Sequence, residues 1–161
     1  IAPKITKIKV AMEVNEIGSY YSRDHGITTY AKYPYQGKDG ACRYDEKKDK
    51  VFANSDCTKV THKLELSLKA SLALNPASVS IDGAHLSFQF YEKGVYSGKC
   101  GTKLNHGVLA VGYGTLGDKK FWKVKNSWGT DWGMSGYILI ENNGDGDGLC
   151  GILKDASYPI A

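Results

Sequence analysis

The sequence predicts an α+β fold in which helical segments come first and an antiparallel sheet follows. Three observations predict it. Val108, Leu109, Ala110 and Val111 form an apolar run closed by Gly112 and Gly114, which reads as a buried strand over residues 104–114. Phe121, Trp122 and Val124 open a second strand that breaks at Gly129, and the intervening residues 114–120 suit a hairpin-like connection. Ahead of both, Leu64, Leu68 and Leu72 recur at helical spacing and mark one apolar face over residues 61–74. Helices before strands is the arrangement of an α+β domain.

The remaining elements follow in order. Ile1, Ile5, Ile8 and Val10 alternate weakly among lysines, as an edge strand or an arm would. Residues 14–24 suit a short helix ending near Gly26, with Ile17, Tyr20 and Tyr21 on one side. Pro34, Gly37 and Gly40 make residues 27–40 a loop, and the charge run 45–50 reads as a solvated turn. Residues 51–60 read as a strand. The helix over 61–74 has Thr61 as its cap, Glu65 and Lys69 as an i, i+4 pair, and Asn75-Pro76 as its stop. Residues 78–82 form a strand, 85–91 a helical turn, and 94–98 a turn-rich approach to Cys100. A last strand covers 136–141. The Asp-Gly-Asp-Gly loop at 142–148 lacks the ligand spacing and closing Glu of an EF-hand, so no metal is expected there.

Length and charge bound the function. With 161 residues, 42% hydrophobic and 24% charged, the chain is one domain or two small lobes with a shared interface. Its net charge of +4 is spread out, with no basic run interleaved with aromatics, which argues against a nucleic-acid site. No apolar run reaches the roughly 20 residues of a membrane span. No signal peptide is visible and no initiator Met precedes Ile1, as at a processed or truncated start. Eleven Tyr and three Trp suit a large cleft.

His106 heads the first central strand, and Asn126 ends the second, 20 residues later. An antiparallel pair sets two such residues side by side. The Asn carbonyl then accepts from one ring nitrogen, sets the tautomer and aims the other nitrogen outward. Trp128, two residues on, is placed to shield that bond.

These two stretches, Leu-Asn-His-Gly-Val-Leu-Ala-Val-Gly-Tyr-Gly and Phe-Trp-Lys-Val-Lys-Asn-Ser-Trp-Gly, resemble the His and Asn motifs of the papain family of cysteine proteases. Tyr33-Pro34-Tyr35 with Cys42 is similar to that family's mid-chain turn. The strand 78–82 with Phe88, Tyr91, Gly94 and Tyr96 is similar to its central strand and following loop. Cys150-Gly151-Ile152 with Ser157-Tyr158-Pro159 resembles a C-terminus of the cathepsin L-like kind. The resemblance implies a papain-like architecture. A β-barrel-like right lobe would cover residues 56–161, with an incomplete helical left lobe in 1–55 and a cleft between them.

It also implies roles. His106 would be the acid/base, Asn126 its orienter and Trp128 the shield of a Cys-His-Asn mechanism for peptide-bond hydrolysis. Asp155 would floor the pocket for the second residue before the scissile bond and favour a basic side chain. Its alternative is pairing with Lys154 or solvent. Ser80 and Leu104 would wall that pocket, and Asn105 would lend backbone near the scissile bond. Cys100 and Cys150 would form a disulfide, in a lysosomal, endosomal or extracellular setting. No cofactor or metal is implied.

The family's nucleophile lies in a Cys-Gly-Ser-Cys-Trp-like stretch opening a helix, and no Cys precedes Cys42 here. Cys42 stays free or pairs with Cys57; neither opens a helix that would lower a thiol pKa. Two readings follow. The chain is a peptidase polypeptide without its nucleophile and inactive alone, its partner being a second chain or segment and its substrate a peptide or protein. Alternatively it is a catalytically dead homologue acting as a binding or structural module.

Overall fold

A computed structural model of the chain describes residues 14–160, with side chains from Gly18 onward. Residues 1–12, read above as an edge strand or an arm, and the side chain of Ile17 lie outside the described part.

Helix α1 (Val14–His25) ends where expected. Gly26 takes a φ of +77°, a left-handed conformation that glycine adopts without strain, and its N–H donates to Ser22 O at 2.8 Å. The charge run forms a single helical turn, α2 (Glu46–Asp49), because the Asp45 side chain accepts from Lys47 N–H and caps it. The strand expected over 51–60 is shorter: β1 is Asp56–Lys59. Asn54 is buried and donates to Asp56 O at 2.8 Å, a local turn that breaks the extended chain.

Helix α3 (Glu65–Leu72) starts later than Thr61. Lys63 has a φ of +62°, which no helix accommodates, so the helix cannot begin before it. The cap comes instead from far along the chain, where Asp145 Oδ1 accepts from Glu65 N–H at 2.8 Å. Glu65 pairs with Lys69 as expected and also accepts from Asn142 Nδ2 at 2.9 Å. These two donors hold its carboxyl below the usual range. Leu68 is fully buried and Leu66, off the stripe, is exposed. The 142–148 loop is clamped to this helix. Gly146 N–H donates to Lys63 O at 2.9 Å, and Lys63 Nζ meets Asp147 at 3.0 Å. Replacing Asp145 by alanine is expected to destabilise the protein by about 1 kcal/mol, read as a shift in urea midpoint at constant slope.

The rest of the chain builds the sheet. The elements are β2 (Ala77–Ile81), the one-turn helix α4 (Leu86–Gln89), β3 (Val95–Tyr96), β4 (His106–Leu116), β5 (Lys119–Lys125), β6 (Tyr137–Glu141) and β7 (Ala156–Ile160). Among the described residues they form one seven-stranded sheet in the order β1-β7-β2-β4-β5-β6-β3. Every pairing is antiparallel except β3 on β6. The α+β class therefore holds, with an open, antiparallel-rich sheet. Strands β3 and β7 are additions to the expected set.

Alternation sets the faces. In β5, Trp122 and Val124 point inward while Lys123 and Lys125 point out. The core joins Trp122 and Val124 to Val79, Ile81, Ala110, Ile138 and Ile140 from the neighbouring strands, with Leu68, Phe88 and Ile152 closing it. The β4–β5 register shifts between Ala110 and Gly112, a bulge that leaves Val111 unpaired. Tyr113 beyond it pairs with Trp122, and Lys69 of α3 lies 5.5 Å over the Tyr113 ring. Helix α1 lies against β1 and β7, and Arg23 reaches Asp56 at 3.6 Å. Among the described residues no helix is long and apolar enough to cross a membrane.

Candidate active site

The hairpin builds the site. The β4–β5 ladder ends at the Leu109–Lys125 pair, and the strand ends just beyond it, Val108 to His106 on one side and Asn126 on the other, lie close together. His106 Nε2 lies 2.8 Å from Asn126 Oδ1. The N–H of Ser127 donates to the same oxygen at 2.8 Å. A backbone N–H can only donate, so this atom is the amide's carbonyl oxygen and the amide has one allowed orientation. It follows that Nε2 carries the proton in the neutral ring and Nδ1 holds the lone pair. Nδ1 makes no hydrogen bond among the described residues.

Aromatic packing fixes the ring plane. Trp128 stacks on His106 with centroids 5.0 Å apart and planes 23° apart. Phe88, from α4, is fully buried and stands edge-on to both rings, 6.5 Å from His106 and 5.8 Å from Trp128. Trp132 packs on Phe88 and Trp128, and its Nε1–H donates to Gln89 O at 2.8 Å. Trp128 is 41% exposed, so it covers one ring face and leaves the site open. Asn126 is buried and its Nδ2 has no hydrogen-bond partner among the described residues. An open groove of about 390 Å³ adjoins the pair, lined by Gly107, Leu109, Lys125 and Asn126 among others.

The other expected residues fall near this point in part. Ile81 pairs with His106 and Ser80 with Gly107, which puts buried Ser80 one residue from the imidazole strand position. Ser80 Oγ donates to Asp155 Oδ2 at 2.5 Å, while Lys154 Nζ donates to Thr102 O at 2.8 Å. Asp155 thus turns toward Ser80. Leu104 is buried beneath Gly151, where an added Cβ would meet its Cδ2 at 2.9 Å. Asn105 is exposed, but its side chain is tied to the protein: Oδ1 accepts from Gly83 N–H at 3.0 Å, and Nδ2 donates to Asp82 and Lys103 O.

Cys100 and Cys150 are disulfide-bonded, and Cys42 and Cys57 are both free. Neither free thiol stands beside His106. Cys57 is on β1, three strands from β4 in the sheet order, roughly 14 Å at normal strand spacing. Cys42 lines a separate groove with Tyr21, Tyr33 and Tyr44. Two contributors escape sequence reasoning. Phe88 is an ordinary apolar residue whose role appears only once four rings surround it, and the N–H of Ser127 is backbone.

Known proteins resemble this chain. A family-wide sequence profile described as papain family cysteine protease matches residues 13–160. The chain belongs to the papain family of cysteine proteases. One family relative, the KDEL-tailed cysteine endopeptidase CEP2 of Arabidopsis thaliana, is 46% identical over 142 residues, covering 88% of this chain and 39% of the relative. Vignain of Ricinus communis is 47% identical over 137 residues, covering 84% of this chain and 38% of its own length. Among solved structures of the family, the bromelain protease from Ananas comosus in complex with the E64 inhibitor superposes with a TM-score of 0.83 at 34% identity. That match covers 90% of this chain and 68% of that one. The ragweed pollen allergen Amb a 11 in its proform gives a TM-score of 0.84 at 39% identity, over 90% of this chain and 45% of that one. The chain therefore has the papain-like fold, and it spans about two fifths of the length of these curated relatives.

Proposed function

We propose that this chain is the base-bearing part of a papain-like cysteine peptidase, with its nucleophilic thiol supplied by polypeptide outside these 161 residues. The observation that carries the reading is the His106–Asn126 bond of 2.8 Å, with a single amide orientation, a Trp128 stack and an open groove alongside. A core needs none of this: an imidazole with one nitrogen tied and the other free at a rim is poised to exchange a proton. In this reading His106 Nδ1 takes the proton of an approaching thiol, the resulting imidazolium stabilises the thiolate, and the same nitrogen protonates the leaving amine. Asn126 keeps Nε2 protonated and aimed away from the thiol. Trp128 and Phe88 shield that bond, which strengthens it by lowering the local dielectric.

Residues 1–55 act in this proposal as the remnant of the helical lobe and 56–161 as the sheet lobe. Asp155, with Ser80 and Leu104 as walls, presents a carboxylate suited to a basic side chain two residues before the scissile bond, and the backbone of Asn105 borders the bond itself. The Cys100–Cys150 bridge favours a lysosomal, endosomal or extracellular compartment. The experiment is complementation. The chain is co-refolded with the part of the bromelain protease that the superposition leaves uncovered, and a peptide with a basic penultimate residue is offered. Hydrolysis is expected from the complex and not from the chain alone. A well-formed complex without turnover would sink the peptidase reading in favour of a binding module.

A further inference from the structure

We infer that Asp82 is the positioning residue of the His106 imidazole, its carboxylate gathering the donors of the loop that delivers His106 to the site. The inference rests on the reading of His106 as the acid–base group.

Asp82 follows the last residue of β2, Ile81, which pairs with His106. Its own backbone is anchored: Asp82 N–H donates to Cys150 O at 2.8 Å, in the turn that carries the disulfide. Its side chain then reaches back across the gap to residues 101–105. Oδ1 accepts from Asn105 Nδ2 at 2.9 Å and from Ala84 N–H at 3.3 Å. The N–H groups of Gly101 and Lys103 also bear on the carboxylate. Gly101 packs so closely that a Cβ there would sit 2.6 Å from Oδ2. Asn105, which donates, and Gly101 and Lys103, whose backbone lies beside the carboxylate, are on the residues leading directly into His106. A carboxylate used only to stabilise its own turn would not collect them.

Asn105 passes the constraint on. Its N–H donates to Ile81 O at 3.0 Å, and its Oδ1 accepts from Gly83 N–H at 3.0 Å. Asp82 therefore holds the Asn105 amide in the orientation that clamps Gly83. Gly83 in turn lies against the imidazole, where a Cβ would come within 3.2 Å of His106 Cδ2. The ring is thus located by Asn126 at Nε2, by Trp128 on one face and by Gly83 against its Cδ2 edge. Asn105 supports the third contact by holding the Gly83 N–H. Burial acts to raise the Asp82 pKa, but the donors outweigh it and keep the group below the ordinary carboxylate range. It therefore stays ionised, an acceptor only, across neutral pH. Asparagine in its place would turn an NH₂ toward one of these N–H donors and break the set.

The test reads the ring directly by ¹H–¹⁵N NMR of the labelled chain. The parent protein is expected to show a protected Nε2 proton on His106. In D82N that proton is expected to exchange with water at least about tenfold faster, as a locally opened hydrogen bond does. N105A, which keeps the Gly101 and Lys103 contacts, is expected to move the same way by less. D147A serves as control: it breaks the remote Lys63 clamp, and its exchange is expected to match the parent even if it melts lower. Exchange in D82N and N105A within about twofold of the parent would overturn the inference while leaving the peptidase reading in place. Should D82N not fold, N105A alone decides by the same criterion. A parent with no protected Nε2 proton would overturn both, since there would be no positioned ring to explain.

Discussion

Replacing His106 by alanine is expected to lower kcat/KM of the complemented protein by about 10³ or more, since a positioned acid/base contributes 10²–10⁴ and in the proposed mechanism also stabilises the thiolate. The loss should fall on kcat with KM nearly unchanged, because the imidazole acts on the reacting atoms and not on remote parts of a peptide. Asn126→Ala should lose less. The ring remains, still stacked on Trp128 at 5.0 Å, but the partner that keeps the proton on Nε2 is gone. The order His106→Ala worse than Asn126→Ala, measured on one fluorogenic peptide, separates the base from its orienter. A His106→Ala protein retaining about a tenth of the parent activity would contradict the proposed proton path.

The second large effect is on stability. Changing both Cys100 and Cys150 to serine opens a loop with a sequence separation of 50. In the chain-entropy account a loop of that size contributes about 4 kcal/mol. For a protein of this length that corresponds to a fall of roughly 8–16 °C in melting midpoint. The site should feel it as well. Cys150 O holds the backbone of Asp82 at 2.8 Å, and Cys100 begins the loop that runs to His106. Differential scanning calorimetry of the oxidised chain against the double serine variant measures the effect. A shift under about 2 °C would mean that the turn at Leu149–Gly151 is held by packing alone.

What the sequence made legible was side-chain chemistry at strand ends. His106, Asn126 and Trp128 sit at positions where alternation and hairpin pairing dictate who meets whom, so their juxtaposition could be read in advance and is found at 2.8 and 5.0 Å. Helix α1 and the Glu65–Lys69 pair are likewise local. The failures are all tertiary. Thr61 has the chemistry of a cap, but Asp145, 80 residues beyond Glu65, supplies the acceptor and Lys63 blocks an earlier start. Strand β3, two residues long, is too short to announce itself, and β7 carries Pro159, which argues against a strand; both exist through their partners. The two options for Cys42 could not be told apart by spacing, and the structure keeps both thiols free. Phe88 is invisible for a different reason: nothing in a lone phenylalanine states that His106, Trp128, Trp132 and Tyr96 will converge on it.

The unpaired Val111 lets one long strand serve two clients. Before it, the even-numbered residues Val108 and Ala110 face the core; after it, odd-numbered Tyr113 shares the side of Trp122. A strand of strict parity could not do both. With Val111 paired in a regular ladder instead of bulged, Tyr113 would fall on the face opposite Val108 and Ala110, away from Trp122. The end of β4 that carries His106 is thereby uncoupled from the end beneath α3 by a single residue's slack.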